Sequence, residues 1–241
     1  MNCISQCEKS GAKECQDLSG WEGITYEELL VRLKKYINEE VRIYTVATTS
    51  LNKKTNRICH SGSGPNLEGK FATLCTCKHS MRQYHTLDEW KSVWILGLTS
   101  RAINKGFSGI HYLFYMMKIE QAFESHKDLC QYLNKQNYLA LQHKSAVRNR
   151  LGDIFEPKLS CTEPLNPKMY KTPHKNHSHG LDNNWNDDIV YKGKSAPLLL
   201  GDVNNTFVWP QPKIIFDAER GVGNLKLPLG EDLFRYLKTC E

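Results

Sequence analysis

A chain of 241 residues with 40% hydrophobic side chains holds enough apolar material for one sizeable core, which excludes a disordered or fibrous polypeptide. The net charge of +6 is spread along the chain, unlike the dense basic tail of a nonspecific nucleic-acid binder, so it permits an anionic partner without demanding one. No apolar run is long enough to span a bilayer, and the first residues lack the basic and apolar blocks of a signal peptide, so a cytoplasmic location is expected. Nine cysteines form no compact repeating framework, and in a reducing compartment most are expected as free thiols.

In chain order, residues 1–20 are polar and read as a flexible tail. Cys3, Cys7 and Cys15 lack a nearby fourth ligand for zinc. Residues 21–40 read as an amphipathic helix: Thr25 with Glu28 makes a capping box, and Tyr26, Leu29, Leu30, Leu33 and Ile37 share a face. Residues 41–216 read as the main domain. Val41 to Thr48 suits a strand covered on both faces, and Asn52 to Arg57 is a basic loop.

The stretch from Gly62 to Arg82 is the densest in signals. Gly62, Gly64 and Pro65 make a loop, Phe71 to Cys75 extends as a short strand, and Lys78 to Arg82 leaves it with basic side chains. Trp90 to Leu98 and Ile110 to Ile119 read as further strands, and Ser125 caps a helix through Leu133. Residues 134–150 are polar and basic, ending at Arg148 and Arg150. Cys161 to Asp188 reads as a long loop of the kind that is often functional. Ile189 to Tyr191, Leu198 to Leu200, Thr206 to Trp209 and Ile214 to Phe216 read as short strands. Residues 217–241 form a C-terminal extension with a short helix from Glu231 to Thr239. Strands outnumber helices and irregular loops join them, which favours an α+β domain around a curved or closed sheet.

Several motifs, taken in order, resemble one family. Pro65-Asn66, Gly69, Thr73-Leu74, Cys77-Lys78 and Met81-Arg82 resemble the signature of the nucleotide modification associated domain family, second named member. Trp94-Ile95-Leu96-Gly97, the turn from Gly152 to Pro157, and the His-containing loop followed by Leu198 to Trp209 resemble its later segments. The resemblance spans roughly Val41 to Phe216. It departs at His79 and Leu67, where the family has proline, and at Glu89-Trp90-Lys91. The resemblance implies a PUA-like curved or barrel-forming mixed sheet with peripheral helices, related to ASCH, EVE and YTH modules. It also implies a nucleotide or nucleic-acid partner, possibly carrying a modified base, and calls for no cofactor or metal; fold analogy alone proves no chemistry.

Reading a base needs an aromatic face and groups aimed at its edge. Trp94, Phe207 and Trp209 are the aromatic candidates, being at strand ends near turns; the competing reading, favoured for Trp94, is a core residue beside Ile95. Asn66 offers a donor and an acceptor, and as a turn residue after Pro65 it also has a structural reading. Asp153 reads as an acceptor for an exocyclic amine or as a turn residue. Lys78 and Arg82, four apart, read as a phosphate rim with Arg148 or as a solvated face. His177 is the candidate contact from a loop whose His174, His179 and Asp182 also invite a metal reading. The competing readings are an enzyme using His177, Asp153 and Cys77, and an interaction module docking through the Tyr26 to Ile37 helix.

Overall fold

The computed structural model describes residues 14–136, 138–175, 177, 185–218 and 222–240. The sheet is built from β1 (Glu40–Val46), β4 (Thr73–Leu74), β5 (Val93–Thr99), β6 (His111–Phe123), β7 (Leu198–Val208), β8 (Ile214–Phe216), β9 (Leu225–Pro228) and β10 (Leu237–Thr239). Its order is β10-β8-β6-β5-β1-β9, with β7 added to β6 and β4 to β7. Only β1 and β5 run parallel among these pairs. A separate hairpin joins β2 (Thr49–Asn52) to β3 (Arg57–His60).

The period of two along a strand sorts the cores. Val93 and Ile95 enter one apolar cluster with Tyr44, Tyr115 and Met117, whereas Trp94, Leu96 and Leu98 enter another with Val41, Ile43 and Phe207. All seven residues of β5 are buried, as expected for a strand flanked by partners and covered on both faces. The pairing of β6 with β5 is irregular between Gly97 and Leu98, and its pairing with β7 shifts twice between Met117 and Gln121. Such bulges bend a strand and raise its twist, and the sheet accordingly curls into a half-barrel of mixed strands with few helices around it. The α+β architecture expected from the sequence is therefore present. No helix among the described residues is long and apolar enough to cross a membrane.

The Tyr26–Leu33 helix carries the predicted capping box, with Glu28 N donating to Thr25 Oγ1 at 3.2 Å and Thr25 N donating to Glu28 Oε2 at 2.9 Å. Leu29 and Leu33 are buried, but the regular helix stops there and passes into a 3-10 turn, Lys34–Tyr36. Ile37 therefore leaves the apolar face and is half exposed, at 51%.

Other expectations need correction. Leu198 to Leu200 and Thr206 to Val208 are joined in one strand, β7, because the intervening polar residues form a bulge, where Asp202 accepts from Asn204 N and from Asn205 Nδ2; Trp209 lies just beyond its end. Ile189 closes a helical turn, Asn186–Ile189, and Tyr191 forms only an isolated bridge with Lys194. The C-terminal helix is confined to Glu231–Phe234; the open edge of β8 captures Leu237–Thr239 as β10. Residues read as a polar stretch contain the Tyr138–Lys144 helix.

Residues 14–20, expected as tail, are docked. Gln16 Nε2 donates to Gly62 O at 2.9 Å and Pro65 O at 2.7 Å, and its Oε1 accepts from Leu67 N at 2.8 Å. Leu18 joins the first core cluster. Cys15 is bonded to Cys59 with a Cα–Cα separation of 5.4 Å, correcting the expectation for these two thiols, while Cys75, Cys77, Cys130, Cys161 and Cys240 are free. Cys3 and Cys7 lie outside the described residues. Cross-linking over 44 residues restricts the unfolded chain, so Cys59→Ser is expected to lower the unfolding free energy by about 2–4 kcal/mol. An unchanged urea midpoint would show that the docking of Gln16 and Leu18 suffices alone.

Candidate functional site

The dense stretch from Gly62 to Arg82 folds back on itself. The absence of a side chain at Gly64 lets its backbone lie on the end of β4: a Cβ there would fall 2.7 Å from Thr76 O and 3.0 Å from Cys77 Sγ. Ser63 Oγ meets Thr76 Oγ1 at 2.9 Å, and the Cys77 thiol donates to Gly64 O at 3.5 Å. Cys77 and Lys78 then adopt successive left-handed conformations, φ 58° and 53°. Side chains at such φ cost free energy and recur at functional sites. The reversal starts the His79–Arg82 turn and sends Arg82 back beneath Cys77.

Arg82 is completely buried. Its Nε donates to Cys77 O at 3.0 Å, and its Nη1 donates to Ala196 O at 2.6 Å and Pro197 O at 2.8 Å. Its Nη2 has no hydrogen-bond partner among the described residues. The guanidinium lies within electrostatic reach of Cys75, Cys77, Asp188 and Asp153, and burial lowers its affinity for the proton without removing the charge.

Across the sheet, Tyr44 on β1, Gly97 on β5 and Tyr115 on β6 are in register. Only glycine fits between the tyrosines, since a Cβ at Gly97 would fall 2.0 Å from a Tyr115 ring carbon. The two phenols lean together over that gap, hydroxyl to hydroxyl at 2.7 Å. Burial raises both well above the ordinary phenol range and pushes the Cys77 thiol up to about 12, so all three hold their protons at neutral pH. Half-buried Lys78 places Nζ 4.9 Å over the Tyr44 ring.

Asp188 ties the outer side of the cluster. Its Oδ1 accepts from Cys77 N at 3.3 Å and is 2.7 Å from His79 Nε2, whose ring stacks on Tyr191 with centroids 4.8 Å apart. Phe155 N donates to His126 Nδ1, which leaves the proton on Nε2 to be donated to Asp188 O at 3.1 Å. Burial pushes His126 down to about 4 and keeps it neutral.

Three of the expected site residues meet around the 151–153 turn, though as framework. Asn66 Nδ2 donates to Leu151 O at 2.9 Å, while its Oδ1 accepts from Glu68 N at 3.1 Å and from Lys144 Nζ at 3.0 Å. Asp153 accepts from Thr73 Oγ1 at 3.0 Å and Cys75 N at 3.3 Å. His177 Nε2 lies 2.9 Å from Gly152 O. All three are buried. Lys144 is buried too, with Nζ 4.6 Å over the Phe71 ring.

The aromatic candidates are elsewhere. Trp94, Phe207 and Trp209 belong to the core on the opposite side of the sheet from Tyr44 and Tyr115. The indole N–H groups are already used, Trp94 donating to Glu39 Oε2 at 2.7 Å and Trp209 to Ile24 O at 2.8 Å. Period-two alternation explains the separation: Trp94 points away from Ile95. Lys78 and Arg82 form no shared exposed rim, because Arg82 turns inward; Arg148 pairs with Glu156 at 3.3 Å. His179 and Asp182 lie outside the described residues, and among the described ones no cluster of three or more His, Cys, Asp or Glu is placed to hold a metal.

Sequence reading missed Tyr44, Tyr115, Lys144 and Asp188. The available signal was Gly97, a glycine inside a strand flanked by tyrosine-bearing strands, which marks a close approach. Compared with known proteins, the chain matches no family model, no curated protein and no solved structure.

Proposed function

We propose that this chain is a PUA-like domain that binds a nucleotide or a base within nucleic acid, a modified base included. The ligand site is placed at the Gly62–Asn66 loop, the Cys77-Lys78 reversal and the Tyr44–Tyr115 pair, with Lys78 at the edge to receive phosphate. The observation that carries the reading is Arg82, a buried guanidinium whose Nη2 has no hydrogen-bond partner among the described residues. A buried donor left unpaired costs about 1–3 kcal/mol, which a ligand acceptor would return. The ordered motifs from Pro65 to Trp209 and the curled mixed sheet support the same reading.

The enzyme reading gains less from the geometry. Cys77 holds its proton, and the Asp153 oxygens are engaged by Thr73 and Cys75. Native mass spectrometry of the full chain purified from cells tests the reading. A retained species with a nucleotide mass is expected. A stoichiometric divalent metal in its place would move the reading to metal-assisted catalysis.

A further inference from the structure

We infer that the Cys15–Cys59 bond is a thiol-exchange site: a small thiol of the glutathione class enters the cavity beside it, attacks Cys15 and expels Cys59, and the docked residues 14–19 are thereby released from the Gly62–Glu68 loop. The inference stands apart from the nucleotide reading, and its test needs no nucleotide.

An open cavity of about 270 Å³ lies between the docked segment and the β2–β3 hairpin, and both cysteines line it. Cys15 is exposed and Cys59 half-buried, so Cys15 is the more accessible of the two. Access helps decide which sulfur a thiolate attacks. Two charged side chains that line the cavity favour the same direction. Arg57 stands two residues from Cys59 on the same face of β3, and Asp17 stands two residues from Cys15. A neighbouring cation stabilises a thiolate and a carboxylate disfavours it, so Cys59 is the better leaving group.

In the first step the incoming thiolate bonds to Cys15 Sγ as the bond to Cys59 breaks, and Cys59 leaves as a thiolate that takes a proton from water. A second thiol molecule then attacks the sulfur of the first, Cys15 leaves in its turn, and the two molecules depart as their own disulfide. The two electrons that the chain gains come from the two thiols.

Release follows from what the bond anchors. Gln16 N donates to His60 O at 2.9 Å and Asp17 N to Glu68 Oε1 at 3.0 Å, while the Gln16 side chain ties Gly62 O, Pro65 O and Leu67 N together. These contacts support the loop only while the segment stays in place. Once Cys15 is freed, the segment loses its covalent tie to β3 and is held at its other end by Trp21, whose Nε1 donates to Leu67 O at 2.7 Å. Segments held at one end open locally at small cost.

Reduced glutathione added to the oxidised full chain under argon tests this, with N-ethylmaleimide quenching at intervals and peptide mapping by mass. Without an oxidant, a mixed disulfide forms only from a disulfide already in the chain. Glutathione on Cys15 with maleimide on Cys59 is expected first, and maleimide on both later. After full reduction the Leu67 amide, which donates to Gln16 Oε1, is expected to exchange with deuterium about tenfold faster or more. Cys15→Ser should show the same fast exchange with no reductant present. A bond that resists glutathione in the folded chain and yields only in urea would overturn the inference, as would glutathione recovered on Cys59. Unchanged Leu67 exchange, both after complete reduction and in Cys15→Ser, would overturn it by separating the bond from the loop.

Discussion

Asp153→Ala is expected to lower the unfolding free energy by about 3–5 kcal/mol, the cost of leaving a buried charge without its counterpart. Asp153 and Lys144 are both completely buried and attract each other. Burial pushes the Asp153 carboxyl up to about 6 and the Lys144 ammonium down to about 8, so each charge is held against the cost of desolvation by its partner and its hydrogen bonds. Lys144 also bonds Asn66 through O at 2.9 Å and Oδ1 at 3.0 Å, so the loss should spread to the Pro65–Asn66 turn. Urea unfolding reads the effect. Adding Lys144→Met to Asp153→Ala should restore a good part of the loss, because the stranded charge goes with it. Strictly additive losses would show that the two residues stabilise the fold independently.

Stability is expected to fall by about 3 kcal/mol between pH 6.5 and 4, a net of three buried groups. His60 and His126 are fully buried and pushed down to about 4, from an ordinary 6.5. Between those values the unfolded chain binds more protons than the folded one. Their stabilisation is thus complete above 6.5 and lost as pH falls toward 4, about 3 kcal/mol for each. Asp153 acts in the opposite sense: raised from 3.8 to about 6, it favours the folded state as pH falls through that window, by a comparable amount. Two histidines outweigh one carboxyl. Glu40, held at about 2 by Lys226, His85 and Arg42, adds a further loss below 4.5. Urea unfolding from pH 7 to 4 checks the sign. Constant or rising stability would mean that the two imidazoles are protonated within the fold.

The strands were legible because β-branched and aromatic runs at β1, β5 and β6 left little alternative. The Thr25 capping box was equally plain. What the one-dimensional pattern hid was capture at open edges, as with Leu237–Thr239 on β8, and bulges, as within β7. The docking of Gln16 depends on the shape of the Gly62–Leu67 loop, which no local periodicity reports. For the proposed site, the Gly62 to Arg82 stretch contributes Arg82 and Lys78. The direction of Arg82 was not legible, since a four-residue spacing says nothing about whether the shared face looks outward. The tryptophans were drawn into the expected site by their chemistry, when strand alternation already separated Trp94 from Ile95 and its face.

The reading stands or falls on where a ligand touches the chain. Nuclear magnetic resonance titration of the labelled full chain with guanosine 5′-monophosphate locates that contact. Saturable shifts concentrated on the Arg82 side-chain N–H signals, the Tyr44 and Tyr115 rings and the Lys78 amide are expected. Saturable shifts confined to Trp94, Phe207 and Trp209, with Arg82 unmoved, would place the ligand on the other side of the sheet and contradict it.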